Sequence, residues 1–477
     1  MHMDANAIGF GLSQRGLVSL GGFAGMADLM RIFQNMYNKE TNPNGIVSLG
    51  VAENSLMHKE LTEFLHNKVQ VTPYSLTYGE GPGGSSALRK ALAEFYNRKL
   101  NPAFEIEPDH ISTASGVSGV LDLLCHAIAE EGEAIMIGRP IYTGFKHDLF
   151  QRSKLKLVPV SLKGVDPMGP EAVELYEKEL QRQKELGVKV RAVILCNPHN
   201  PLGKCYTPEV IRAYAKFCNA HQIHFISDEI YALSIYSTPS NATAAPFTSV
   251  FSIPDLREII APHLVHVLHG MSKDFCANGL RMGTIISPWN ALMRPALMSV
   301  GLFQWVSSVA DIAWRTVLED TAFLDEFVAS NQRKLGVQYQ LLEAWLRARD
   351  IPFVEGGNAG FFVWVDLRRY LDKVKLPDGD DGSVPGGESN LPPAPPGLQK
   401  RDKILWDKMV DSGVYVATAE MFYGEEHGWY RFSFSIVEEE LQLGLARMDK
   451  VLKEVEEKGL VGKLEELTLG TGSDGLA

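Results

Sequence analysis

The segment LVHVLHGMSKDF (264–275), continued by GLRMGTIIS (279–287), decides how this chain is read. Residues 264–268 are a short apolar run closed by His-Gly, which reads as a buried strand. Lys273 follows the end of that strand. A lysine there is held near the mouth of an α/β crevice, where ligands bind. Desolvation and neighbouring cations lower its pKa and leave a free amine that can act as a nucleophile. Ser-Lys pairs are common in any sequence, so the position carries this reading, not the dipeptide. Arg281 lies eight residues further on. Its planar guanidinium suits a phosphate dianion, although a lone loop arginine is ordinarily a surface residue.

Upstream, HFISDEIY (224–231) runs a second apolar strand into Asp228. A carboxylate at that place is costly without a partner. It suits a pyridinium N–H, with Tyr231 within reach of a ring oxygen; a helix N-cap is the equally ordinary alternative. Before it, the loop CNPHNPLGK (196–204) follows AVIL (192–195). Two Asn-Pro steps and a glycine force a tight, non-helical path that can present the Asn200 amide, though each step alone reads as a plain turn. TASGVSGVLDLLCHAIAE (113–130) reads as a small-residue turn opening into an amphipathic helix. The N–H groups of Gly116, Val117 and Ser118, with the Ser118 hydroxyl, make an anion site at its N-terminus, a weak signal alone. GWYRFSF (428–434) sets Arg431 in a strand, where it can clamp a substrate carboxylate or simply lie on the surface.

The 477 residues are 45% hydrophobic and 22% charged, a globular composition with ample chain for a core. The net charge of −12 comes without a basic block, so a nucleic-acid role lacks its footprint. Cys125, Cys196, Cys205, Cys218 and Cys276 show no CxxC pair and no zinc spacing, which fits free thiols in a reducing compartment. The first residues lack a basic stretch followed by an apolar run, and no apolar stretch is long enough to span a bilayer. The expectation is a cytoplasmic protein without membrane or metal.

Strands expected at 134–137, 192–195, 224–227, 264–268 and 284–286 alternate with helices, one of them at 208–221 capped by Thr207. That alternation predicts an α/β fold with a mostly parallel central sheet. From about 304 the pattern changes to a long helical run to 348, strand-like FFVWVDL (361–367) and YRFSFSI (430–436), and helices near 400–412 and 437–458. This reads as a smaller α+β domain. The expected division is 1–60 as an arm (with one helix around 25–37) and part of the small domain, 61–310 as the large domain, 311–460 as the small domain and 461–477 as a loose tail. Within the small domain, 375–399 is rich in Pro, Gly and acid and reads as a flexible surface insertion.

In order and spacing these pieces resemble the fold-type I pyridoxal-5′-phosphate (PLP) enzymes of the class I/II aminotransferase family. SDEIY (227–231), NPHNPLG (197–203) and SKDFCANGLRMGTI (272–285) carry the likeness, supported by TYGEGPGGSSALRKAL (77–92), TASGVSG (113–119) and RPIYTGF (139–145). LGVAENSL (49–56) and NAGFFVWVDLR (358–368) are similar to its 1-aminocyclopropane-1-carboxylate (ACC) synthase-like branch. The resemblance spans roughly residues 20 to 455. It implies PLP fold type I and a homodimer with shared active sites acting on an α-amino acid. Lys273 would form the internal aldimine and shuttle the proton through a quinonoid. Asp228 would pair with the pyridine nitrogen, Asn200 and Tyr231 would bond the ring oxygen, and Tyr142 would stack on the ring. Arg281, Ser118, Ser272 and the amides of Gly116, Val117 and Ser118 would hold the phosphate, with Tyr78 reaching it from the partner subunit. Arg431 would take the substrate carboxylate, and Glu53 would lie near the substrate side chain.

Three departures stand out. The family has Ser or Thr three residues before the lysine, where this chain has Gly270; the segment GPGGSS follows Tyr78; and 375–399 is inserted. The expected reaction is transamination, with C–S β-elimination and ACC synthesis as alternatives. An inactive PLP-fold binding or regulatory module is the alternative of another class, against which the joint retention of Lys273, Asp228, Arg281 and Arg431 argues. A nicotinamide-dependent oxidoreductase is disfavoured, because GEGPGG (79–84) has no strand before it.

Overall fold

In the computed structural model, residues 11–16, 27–378, 380 and 390–462 are described. Seven strands form the central sheet: β1 (Ile111–Ser115), β2 (Ala134–Gly138), β3 (Lys156–Val160), β4 (Val190–Cys196), β5 (His224–Asp228), β6 (Val265–Gly270) and β7 (Met282–Ile286). Their order is β1-β7-β6-β5-β4-β2-β3. The pairs β2–β3, β2–β4, β4–β5 and β5–β6 are parallel, and only β7 runs against the rest. Strands β4 to β6 are buried on both faces because helices cover both sides of a parallel sheet.

This topology positions the site. The carboxyl ends of the parallel strands lie along one edge, where the chain turns into helices and loops. Helix α1 (Gly116–Ile128) leaves β1 directly, and α2 (Gly144–Phe150) follows β2. The loop with Asn200 leaves β4, and the short helix α4 (Met271–Asp274) leaves β6. Because β7 is antiparallel, Arg281 enters it at that same edge, where Ser115 pairs with Met282 and Gly270 with Gly283. Between β4 and β5, α3 (Pro208–His221) is capped as its sequence predicts: the Thr207 hydroxyl accepts from Val210 N, and Val210, Ile211, Tyr214, Phe217 and Cys218 are buried.

One hydrophobic core lies on the sheet and includes Tyr214, Phe275 and Trp314. A second joins Ile46, Val47 and Leu49 to Trp345, Phe362, Trp406 and Phe432. There a small antiparallel sheet, in the order β9 (Ala417–Thr418), β10 (Trp429–Ser433), β8 (Phe362–Asp366), sets Arg431 between Ala417 and Trp364. The arm is woven into this region. Val47 and Ser48 pair in parallel with Val414 and Tyr415, and Ser433 N donates to Leu49 O at 2.6 Å.

Several expectations need correction. Residues 113–115 are not a turn but the end of β1, and β3 was not foreseen. The helical run 304–348 is two helices, α5 (Ser308–Glu319) and α6 (Thr321–Arg347). Asp320 breaks it because its carboxylate caps α6, accepting from Phe323 N at 3.1 Å. The arm helix runs over Ala27–Phe33 and stops short of 37; residues 17–26 lie outside the described part. Of the insertion, 379 and 381–389 lie outside it, yet its ends are held. Val374 and Lys375 pair with Leu460 and Val461, Leu391 is buried, and Asn390 N donates to Glu420 Oε1 at 2.6 Å. Of the tail, 463–477 lie outside the described part. No helix among the described residues is long and apolar enough to cross a membrane.

Candidate active site

A cavity of about 330 Å³ opens at the carboxyl edge of the sheet, between it and the small antiparallel sheet. Lys273 stands in its wall. The Nζ donates to the Ala52 carbonyl at 2.6 Å, across 221 residues of sequence. Burial, reinforced by the guanidinium charges of Arg431 and Arg281, brings its amine down to about 8, against the opposing pull of Glu53 and Asp228. Near neutrality such an amine has an accessible lone pair.

Asp228, Asn200, Tyr231, Ser272 and Arg281 share this cavity, as do Val117, Ser118, Tyr142, Glu53 and Arg431. Asp228 closes β5, is 4% exposed, and accepts the Ile230 N–H at 3.2 Å. Burial, with the Asp148 charge adding to it, pushes its carboxyl up to about 7. No cationic side chain bonds it among the described residues. Arg431 is its counterpart, a guanidinium 3% exposed with no carboxylate partner among the described residues. Its Nη1 donates to Asn200 Oδ1 at 3.1 Å and Nη2 to the Gly50 carbonyl, while Nε has no partner. It lies 4.6 Å above the Phe422 ring and 5.3 Å above Phe362. Burial lowers its pKa from the ordinary arginine value. A buried carboxylate and a buried guanidinium, each without an opposite charge, both call for a ligand.

On the side of α1, Arg281 reaches over Gly116. The guanidinium donates to Asn278 O at 2.8 Å. Gly116 has φ +74°, and a Cβ there would sit 2.5 Å from Arg281 Nη2, so only glycine allows this approach. The expected anion cradle needs one change. The Gly116 N–H is engaged with Arg281 O at 2.9 Å, which leaves the first-turn N–H groups of Val117 and Ser118. The Ser118 hydroxyl donates to Asp148 Oδ2 at 3.1 Å. Ser272 is buried at the same edge. Glu53 Oε1 accepts from Asn278 Nδ2 at 2.7 Å.

Tyr78 is not brought to this cavity. It is 85% exposed and packs against Trp305, 5.6 Å between ring centroids. Gly270 is glycine for a local reason: a Cβ would meet Met282 O at 2.6 Å and Gly283 Cα at 3.1 Å. The sequence reading missed Asp148, Asn278 and the Ala52 carbonyl. Asp148 lies only three residues beyond RPIYTGF, but nothing in its neighbours marks it as facing Ser118.

These groups fit PLP. An N-protonated pyridine would neutralise Asp228, a phosphate would meet Arg281 and the start of α1, an aldehyde would stand by Lys273, and a substrate carboxylate would complete Arg431.

Comparison with known proteins gives the same frame. The family model described as aminotransferase class I and II matches residues 45–448. The probable aminotransferase sirI of Leptosphaeria maculans is 28% identical over 433 residues, covering 89% of this chain and 96% of that protein. The ACC synthase-like protein 1 of Bos taurus is 30% identical over 426 residues, covering 87% of this chain and 78% of that protein. Among solved structures, the aspartate aminotransferase from Thermus thermophilus with maleate superposes with a TM-score of 0.66 at 20% identity, covering 92% of this chain and 99% of that one, a likeness of fold.

Proposed function

Because this chain belongs to the aminotransferase class I and II family, in its ACC synthase-like branch, and that family is PLP-dependent, we propose that it transfers the amino group of an α-amino acid at the cavity around Lys273. The observation that carries the reading is the placement of the Lys273 amine between two buried, unpaired and opposite charges, Asp228 and Arg431.

When bound, PLP supplies an aldehyde that condenses with amines and a ring that withdraws electrons from the substrate Cα. The chain's residues do the rest. Lys273, whose amine burial brings down to about 8, would hold the aldehyde carbon and, once freed, is placed to accept the proton from Cα. Asp228, charged once a cation faces it, keeps the ring nitrogen protonated. Arg431 fixes the substrate carboxylate in two parallel hydrogen bonds and so sets the Cα–H bond relative to the ring. Asn200 and Tyr231 would bond the ring oxygen, and Tyr142 would cover the ring face. Arg281, Ser118, Ser272 and the first-turn amides of α1 would hold the phosphate.

The core that joins the arm to Leu335 and the residues beyond it supports a smaller domain within 311–460, while Trp314 and Phe327 pack into the core of the 61–310 cofactor domain. Exposed Leu76, Tyr78, Leu302 and Phe303 support a homodimer in which Tyr78 serves the partner's site. Five free thiols fit the cytoplasm.

A second reading, loss of a β-thiolate or closure of a cyclopropane, shares these residues. Glu53 at the cavity wall and the name of the bovine relative favour the cyclopropane closure. The experiment is a single turnover of the PLP-loaded protein with amino acids and sulfur conjugates. Ketoacid with pyridoxamine phosphate means transamination. Free thiol, pyruvate and ammonia mean lysis. A Lys273→Ala protein that, in the absence of any free amine, still becomes covalently linked to PLP at that cavity on borohydride reduction would overturn the assignment of Lys273.

A further inference from the structure

The hydroxyl assigned to the phosphate is already spoken for. Ser118 Oγ donates to Asp148 Oδ2 at 3.1 Å, and both side chains line the wall that Arg281 and Val117 share. Asp148 lies on α2, which packs on α1. Facing it from α1 are Asp122 and Cys125, from the turn before α2 Tyr142, from the end of β5 Asp228, and from the start of β7 Arg281. On its own helix, Lys146 lies 5.9 Å from the Tyr423 ring centroid and His147 is exposed. Arg152 pairs with Asp122 at 2.9 Å, not with Asp148. Arg281 is therefore the cation that acts on Asp148, and the same cation faces an incoming phosphate. A phosphate seated here sets two anions against each other for one hydroxyl and one guanidinium.

We infer that Asp148 is a positioning residue that takes up a solvent proton as the phosphate seats and donates it to Ser118 Oγ, freeing the hydroxyl's own hydrogen to turn to the phosphate. The inference rests on the proposed phosphate seat. The balance is simple: one proton moves from water to Oδ2, and the Ser118 O–H rotates without breaking. Burial, with the charge of Asp122, already pushes the Asp148 carboxyl up to about 6. A dianion nearby pushes it further in the same direction.

The test uses pyridoxamine 5′-phosphate, whose binding requires no bond to Lys273. Calorimetric titration of the cofactor-free protein at pH 7.5, in buffers of different ionisation enthalpy, counts protons. Wild type takes up about one more proton than Asp148→Asn. The ratio of their affinities changes by up to about tenfold per pH unit above pH 6, so that the variant binds at least about tenfold more tightly than wild type at pH 8. Equal proton uptake and parallel pH profiles overturn the inference. Should Asp148→Asn fail to fold, Ser118→Ala reads the same link, with uptake below wild type supporting it and equal uptake refuting it. Wild type that binds no pyridoxamine phosphate at all sinks the phosphate seat itself, a different failure.

Discussion

Replacing Arg431 by Met separates binding from stability. The guanidinium is 3% exposed and has no carboxylate partner among the described residues, so the fold bears most of its desolvation cost, several kcal/mol for a buried ion. Against that stand two hydrogen bonds, to Asn200 Oδ1 and Gly50 O, whose acceptors would be left unpaired at about 1–3 kcal/mol each. Met keeps the contact with the Phe422 and Phe362 rings. The terms nearly cancel, and the cofactor-free variant melts at or above the wild-type temperature. With substrate the balance reverses. Two charge-assisted hydrogen bonds to a carboxylate are worth about 1.5–3 kcal/mol each. Losing them lowers kcat/KM by about 10²–10⁴-fold, at 1.36 kcal/mol per decade. Differential scanning calorimetry of the cofactor-free protein and steady-state kinetics with its best amino acid read the two effects. Arg431→Lys, which keeps the charge and loses the fork, falls between. A marked drop in melting temperature, or a kcat/KM within tenfold of wild type, would refute the reasoning.

Asp228→Asn tests the opposite charge by pH. Its carboxyl is raised from 3.8 to about 7 in the fold, so its contribution is intact below pH 4 and lost as pH rises toward 7. The cofactor-free variant should therefore gain on wild type between pH 4 and 8, by up to about 4 kcal/mol in urea unfolding; a pH-independent difference would dispose of this. Gly116→Ala forces a side chain onto φ +74° and into Arg281 Nη2, and should raise the PLP dissociation constant at least about tenfold in absorbance titrations. An unchanged constant would mean that Arg281 does not hold the phosphate. Gly270→Ser, which restores the family's usual residue type, should lower the melting temperature without tightening PLP binding, because its Cβ meets Met282 O. Tighter binding at an unchanged melting temperature would contradict this.

The strand ends at Cys196, Asp228 and Gly270 were legible because each closes an apolar run, and that alone placed Asn200, Asp228 and Lys273 at one edge. Strand β1 escaped notice because Ser112 and Thr113 look polar, although both are buried. Strand β3 carries Pro159, which only an edge strand tolerates, and β3 is the edge. The break at Asp320 was legible in principle as a cap. The contacts of Lys273 with Ala52 and of Arg431 with Gly50 were not, since no local pattern reports pairing across 221 and 381 residues. Tyr78 illustrates another boundary: its expected role belongs to an assembly of two chains.

The weaving of residues 47–50 into strands made of residues 414–415 and 433 has a consequence during synthesis. The sheet strands with Asp228 and Lys273 leave the ribosome well before those partners exist. At translation rates of about 5–20 residues per second, the early segment waits roughly 20–80 s for them. The lysine pocket is therefore among the last features of the nascent chain to close. A message truncated before codon 414 should yield a protein that retains the large sheet but lacks Tyr415, Ala417, Phe422 and Arg431 from the wall of its lysine pocket.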